Sequence, residues 1–375
     1  MINESQPTVV LIGAGIAGIS AAAALADHAQ VTLIERETQP AYHATGRSAA
    51  IQSQAYGSPA VRALTRASDP FLSAPPDGFS EHPLLTPRGL ISVARADQLD
   101  HLRAEYEENS DSALTWLDAD EVESRLPLLR RGYAVAGFLN ADAQDIDVHA
   151  LVQGYLRQFR AAGGRLIRGA EVTEIRKTGD HWQLRAGDDI LQADIVVNAA
   201  GAWADGLARI AGVNPIGLEP LRRSALTFRP PEGVDTAAMP MILDAEERFY
   251  VKPDAGMLLA SPANESPSDP VDSQPEDIEI AEAMDRVLQA LDLDVRRIES
   301  KWAGLRTFPP DRTPICGFDP DHAGFFWLAG QGGYGIQTAP AMAALAAHLI
   351  GGAPLPAPVR DLGPDPALLS PARFR

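Results

Sequence analysis

The apolar positions of this chain follow two rhythms. Short unbroken runs closed by glycine or charge predict buried strands: Thr8–Gly13 (TVVLIG), Gln30–Glu35 (QVTLIE), Ala193–Asn198 (ADIVVN) and Phe325–Ala329. A strand covered on both faces reads this way because neither face needs polar residues. Between the first two runs, Ile16–Ala26 is alanine-rich and free of proline, which predicts a helix. Strand, glycine turn, helix and strand in about 30 residues make a βαβ unit. The second rhythm is helical. Leu151, Tyr155 and Phe159 mark a helix over Asp147–Ala162, closed by Gly163 and Gly164. Asp118–Leu126 reads as a helix with Asp118 as its cap and Pro127 as its stop, and Ile278–Leu291 as another.

Elsewhere the pattern predicts strands. Arg165–Thr173 reads as a strand pair, His181–Ala193 as a hairpin around Gly187, and Pro220–Pro262 as several strands with turns. The stretch Tyr56–Gln144 is mixed, with Leu90–Ala94 as a candidate strand and Pro75-Pro76-Asp77-Gly78 as a loop. Glu265–Glu276 is polar and reads as a surface loop.

Composition narrows the partners. The 375 residues carry 50 acidic and 32 basic side chains, a net charge of −18. That charge excludes a nucleic-acid backbone as the main partner. One cysteine, Cys316, leaves no intrachain disulfide and no multi-cysteine metal site, and the eight histidines lack metal-ligand spacing. No metal is therefore expected. No apolar run approaches the roughly 18 residues of a spanning helix, and Ala339–Ile350 is interrupted by Pro340 and His348. The expectation is a cytoplasmic chain without a transmembrane segment, peripheral membrane contact being left open.

Gly13-Ala14-Gly15-Ile16-Ala17-Gly18 matches G-x-G-x-x-G between a predicted strand and helix. The first glycine allows the tight turn, the second admits a pyrophosphate, and the third lets helix and strand pack closely. Glu35 ends the second strand about 20 residues on, where a carboxylate accepts ribose hydroxyls and repels a 2′-phosphate. FAD or NAD therefore outranks NADP. Three further small-residue turns follow strands or precede a helix: Thr45-Gly46-Arg47-Ser48-Ala49-Ala50, Asn198-Ala199-Ala200-Gly201-Ala202-Trp203 and Gly330-Gln331-Gly332-Gly333-Tyr334-Gly335. A nicotinamide domain does not need them, whereas a longer cofactor carrying a flavin does. The expected fold is α/β: a Rossmann-like cofactor domain from residues 1–82, 142–216 and 302–375, and an α+β substrate domain with a mixed sheet from 83–141 and 217–301.

With Trp302-Ala303-Gly304-Leu305-Arg306 added, these motifs resemble the D-amino-acid oxidase superfamily of FAD-dependent oxidoreductases over essentially the whole chain. Tyr42–Ala50, Arg222–Ala225, Phe249–Pro253 and Gln331–Thr338 are most similar to bacterial D-amino-acid dehydrogenases of the D-arginine dehydrogenase type. The resemblance implies FAD contacts from Gly13, Gly15, Ile16, Ala17, Gly18, Glu35, Arg36, Thr45, Gly46, Arg47, Ser48, Ala49, Val172, Ala200, Gly201, Gly330, Gly332, Gly333, Tyr334, Gly335 and Ile336. It places the covalent attachment position of some relatives at Gly304, so the FAD is expected to be noncovalent and Cys316 a packed residue.

A substrate carboxylate calls for a guanidinium. Arg306 and Arg223 are the candidates, with Tyr250 beside them. Arg222 and Arg223 point to opposite faces of a strand, and the resemblance selects Arg223. Tyr56 and Gln337 are further candidates at the substrate, and His43 near the flavin. The implied reaction is hydride transfer from Cα of a small D-amino acid to flavin N5, giving an imino acid that hydrolyses to a 2-oxo acid and ammonia, as in amino-acid catabolism. The resemblance favours a dehydrogenase over an oxidase, and leaves the electron acceptor as a quinone or oxygen. Leu90 and Ile51 stand where the D-arginine type carries an acidic residue and a histidine, so a neutral apolar side chain is expected. A secondary amine such as an N-alkyl glycine, a 2-hydroxy acid, and a flavin-binding protein without turnover remain as alternatives.

Overall fold

The computed structural model describes residues 6–375. Its first layer is a six-stranded sheet ordered Ile315–Phe318, Phe325–Ala329, Ile195–Asn198, Thr8–Ile12, Gln30–Glu35 and Arg165–Arg168. All neighbours are parallel except the first pair. Alternate residues of Thr8–Ile12 enter different cores. Val9 and Leu11 pack on the side of the helices Ile16–Leu25, Val148–Ala161 and Gly335–Gly351. Val10 and Ile12 pack under the antiparallel strands Val172–Thr178, His181–Ala186 and Asp189–Ala193. This double burial is why the strand lacks polar alternation.

The second layer is a nine-stranded sheet, antiparallel except where Leu90–Ala94 lies parallel to Met241–Asp244. Its longest pairing joins Glu219–Phe228 to Ile298–Phe308. The architecture is the expected mixed one.

Local expectations hold in places and fail in others. Asp118 and Asp147 cap their helices through side-chain bonds to Glu121 N and Ala150 N. The mixed stretch contains two unforeseen helices, Pro59–Ser73 and Leu99–Glu108. The first is amphipathic, burying Val61, Leu64, Ser68 and Leu72 at helical spacing, a period that the sequence reading passed over, and the second buries only Leu102 among its side chains. Arg165–Thr173 does not form a hairpin. Gly169 turns the chain in the left-handed region (φ +68°), and the two strands leave for different sheets. The strand Ile298–Phe308 runs across the expected boundary at 301/302 and belongs wholly to the nine-stranded sheet. Leu85–Pro87 and Gln144–Ile146, expected in different domains, pair with each other in a small sheet.

Candidate active site

A continuous cleft opens at the carboxyl end of the parallel strands, the usual ligand position in such sheets. It has two stretches, joined at Gly15, Ala44 and Thr45. The first holds about 1060 Å³ of empty space and is bordered by Gly13, Glu35, Arg36, Val172, Ala200 and Gly201. Gly13 has φ +104°, and a Cβ there would press on the backbone of Ala199 and Ala200. Gly18 does not border the cleft. A Cβ on it would collide with the Gly13 carbonyl, so it serves helix–strand packing. The Glu35 carboxylate accepts from Ala14 N (2.7 Å) and Glu37 N (2.9 Å). Trp203, the last residue of the Asn198–Trp203 turn, forms a wall of this stretch. The Arg36 guanidinium lies 4.0 Å from its ring centroid, and the His43 ring 4.7 Å from it.

The second stretch, about 900 Å³, runs between Thr45–Ala49 and Gly330–Ile336, over the strand residues Gly304–Thr307. Ile16 N donates to Thr45 Oγ1 (3.0 Å), tying the helix start to this loop. Ala17, Ser48, Ala49, Gly330, Gly332, Gly333, Gly335 and Ile336 border it. Arg47 borders it while its guanidinium points elsewhere, and Gly46 and Tyr334 do not border it. The Arg47 guanidinium turns away to the Ser273 and Ala303 carbonyls (2.9 Å each) and to Asp272, bracing the loop. Gly46 donates its N–H to the Ala41 carbonyl (2.9 Å) and lies behind the wall. The Tyr334 ring packs against Tyr56 (5.2 Å between centroids) and Phe308 rather than along this stretch.

The cleft fits a flavin dinucleotide. Thr307 Oγ1 and Gln331 Nε2 are buried along it without a hydrogen-bond partner. Buried polar atoms without partners are rare in native folds and mark an absent ligand atom. Glycines stand where side chains would fill the space. Cys316 is 1% exposed, lies in the core beneath the last helix and borders neither stretch.

A third cavity continues from the second stretch, sharing Ser48, Ala49, Arg223, Tyr250, Arg306, Gly333 and Ile336. The register explains its chemistry. Arg223 pairs across to Gly304, and Arg306 to Leu221. The two arginines therefore share one face as diagonal neighbours, a relation that sets residues about 7–8 Å apart. Burial, then the Arg306 charge, lowers the Arg223 pKa. Burial also pulls on Arg306, but the Tyr56 and Tyr250 hydroxyls outweigh it and leave the net shift upward. Arg223 Nε donates to the Asn264 carbonyl (2.8 Å), and Nη2 lies 3.4 Å from Glu265. Arg222, on the other face, pairs with Glu276 and Glu279.

Ile51, Leu90, Met241 and Leu243 form the apolar wall of this cavity. Gln337 borders it. Its Oε1 accepts from Ser53 N (3.1 Å), while its Nε2 is buried without a partner. Sequence reasoning missed Glu247, at the rim, which accepts from the Tyr56 hydroxyl at 3.4 Å. Glu247 occupies a tight turn at φ +52°. Buried Asp244 holds that turn by accepting from Glu246 N and Arg248 N (3.2 Å each). The turn contains no glycine or asparagine to announce itself.

A parallel sheet bearing a cleft that fits a flavin dinucleotide thus meets a mixed sheet whose cavity is faced by Arg223 and Arg306. The family model described as FAD dependent oxidoreductase, DAO, matches residues 8–349, and the chain belongs to this family. It is 23% identical over 271 residues to FAD-dependent oxidoreductase domain-containing protein 1 of Bos taurus, covering 62% of this chain and 55% of that protein. It is 27% identical over 221 residues to L-2-hydroxyglutarate dehydrogenase of Escherichia coli strain K12, covering 55% and 50%. The chain thus matches about half the length of these relatives. Its fold is similar to that of glycine oxidase from Geobacillus kaustophilus, with TM-score 0.79, 22% identity and coverage of 92% and 94%. These relatives bear names other than the D-arginine dehydrogenase type to which the motifs were most similar. No helix among the described residues is long and apolar enough to cross a membrane.

Proposed function

We propose that the chain oxidises the amine-bearing carbon of a small D-amino acid with a neutral apolar side chain. The supporting observation is the pair Arg223 and Arg306 on one sheet face, converging on a cavity that opens into the cofactor cleft. Two cations in a shared low-dielectric site favour an anionic ligand, and guanidinium forks match a carboxylate. FAD, when bound, supplies the two-electron acceptor. The arginines and Tyr250 fix the carboxylate, Tyr56 closes over it, and the side chain lies among Ile51, Leu90, Met241 and Leu243. Desolvating a distal cation against that wall is costly. The substrate loses a hydride from Cα and a proton from nitrogen, and the resulting imine hydrolyses to a 2-oxo acid and ammonia. An organic acceptor such as a quinone takes the electrons in the dehydrogenase reading.

The test is anaerobic bleaching of the flavin with resolved D- and L-amino acids, N-alkyl glycines and 2-hydroxy acids. Bleaching by D-leucine, D-methionine or D-phenylalanine, with a lower kcat/KM for D-arginine, is expected. Bleaching by a hydroxy acid and by no amine would overturn the reading.

A further inference from the structure

Lys252 is 4% exposed and has no place in substrate binding. It lies two residues beyond Tyr250 in the strand Tyr250–Asp254, on the same face. Its Nζ donates to the Ala49 carbonyl (2.8 Å) and to Asp145 Oδ1 (2.6 Å). The other Asp145 oxygen accepts from Arg88 Nε (2.7 Å). Arg88 is itself fixed by the carbonyls of Ala237 (2.7 Å) and Met239 (3.0 Å).

Burying an ammonium is costly and is tolerated where the charge is paired and hydrogen-bonded. Here the paired charge is aimed at one peptide. Ala49 precedes Ala50, which is left-handed without being glycine (φ +41°). Such a backbone persists only where its surroundings over-determine it. Ala50 N donates to Ser48 Oγ (3.1 Å), and the Ala50 carbonyl accepts from Ile146 N (3.0 Å). Ser48 and Ala49 border both the cofactor stretch and the substrate cavity. The ammonium therefore holds the Ala49 carbonyl in place from behind the wall that both ligands share. Arg88 and Lys252 border one cavity with Asp145, Asp147, Asp235 and Asp254, so removing the ammonium takes one positive charge from behind that wall and leaves the carboxylates.

We infer that Lys252 is a positioning residue for the cofactor. It fixes the Ser48–Ala50 segment against the flavin and, by its charge, favours the flavin's reduced, more negative form. The inference rests on the family's cofactor and not on the proposed substrate.

The test compares wild-type holoenzyme with Lys252→Met and Lys252→Gln, using FAD titration, the flavin absorption spectrum and a redox titration with a chemical reductant. No substrate is needed, so failure here and failure of the substrate reading are separate outcomes. Loss of one charged hydrogen bond predicts roughly tenfold weaker FAD binding in Lys252→Met, a shifted flavin band and a more negative midpoint potential. Lys252→Gln, which keeps a donor without the charge, is expected to recover affinity but not potential. Should Lys252→Met not fold, Asp145→Asn, which loosens the ammonium, is expected to shift the same band. A folded Lys252→Met with unchanged affinity, spectrum and potential would overturn the inference, as would an unchanged band in Asp145→Asn.

Discussion

Arg222 and Arg223 are consecutive in the chain and serve opposite sides of one strand. Arg222 closes a network with Glu279, which also accepts from Ser224, Ser266 and Asn264, while Arg223 faces the cavity. Their alanine variants should therefore fail differently. Arg222→Ala removes one charged partner from a carboxylate that keeps three others, and is expected to cost about 1–3 kcal/mol of stability with KM unchanged. Arg223→Ala is expected to leave the denaturation midpoint nearly unmoved and to raise KM at least tenfold. Urea unfolding and steady-state kinetics on both variants check the contrast. Equal KM effects would show that the strand alternation does not divide their roles.

Glu105 carries a pH-dependent liability. Burial, then the charges of Glu247 and Glu108, pushes its pKa up to about 7. The folded state thus keeps a proton that the unfolded chain releases near the ordinary glutamate value. Stability gained from this site is present below about pH 4.5 and is lost as pH rises through 7. Glu105→Gln is expected to remove that fall, making urea midpoints at pH 5.5 and 8 more nearly equal than in wild type. A variant as pH-sensitive as wild type would place the dependence elsewhere.

The parts of this fold legible in sequence are those where one physical requirement dominates. Gly13 must adopt positive φ against Ala199, and Val9–Ile12 must be apolar because two cores meet them. Strand alternation, which needs only adjacency, puts Arg222 and Arg223 on opposite faces, and the resemblance chooses Arg223 for the cavity. What stayed hidden depends on tertiary partners. Pro59–Ser73 carries a helical period, but the buried Thr65 and Ser68, which bond within the helix or to the last helix, interrupt its apolar run. Arg47 borders the cofactor stretch, yet its guanidinium is held by Asp272, more than two hundred residues away in sequence. Glu247 reaches the pocket rim only because a buried aspartate bends an unremarkable turn. The apolar wall around Leu90 was foreseen, and the carboxylate at its edge was not.

Asp319 should govern acid stability at the end of the chain. Its side chain is fully buried and accepts from His322 Nδ1 (2.8 Å), Trp327 Nε1 (3.1 Å) and Arg375 Nη2 (2.8 Å). Burial pushes its carboxyl up, but Arg375, His322 and Trp327 outweigh that and hold it down to about 2. A depressed carboxylate stabilises the fold above its unfolded value near 4, and that contribution fades as pH falls toward 2. Asp319→Asn is expected to cost about 2–3 kcal/mol near pH 7, and to match wild type more closely in acid. Urea midpoints at pH 7 and pH 3.5 measure the difference, and a constant gap would contradict the assignment.

Gly333 lies where the Gly330–Gly335 turn meets the Arg306 guanidinium. A Cβ added there would lie 2.7 Å from Arg306 Nη1 and 2.8 Å from its Cζ, so the guanidinium must move. Gly335, two residues on, would meet only Gln331 Cβ at 3.4 Å and Ile16 Cγ2 at 3.6 Å, which is ordinary contact. If Arg306 holds a carboxylate as proposed, displacing its guanidinium by this much is expected to cost about 1.4–2.8 kcal/mol in ligand binding, or roughly 10- to 100-fold. Gly333→Ala is therefore expected to retain FAD and to bind a redox-inert carboxylate such as benzoate 10- to 100-fold more weakly, read as the perturbation of flavin absorbance on titration. Gly335→Ala is expected to bind it within about threefold of wild type, since no contact there falls below van der Waals distance. If both variants bound benzoate as wild type does, Arg306 would not be the group that holds the carboxylate.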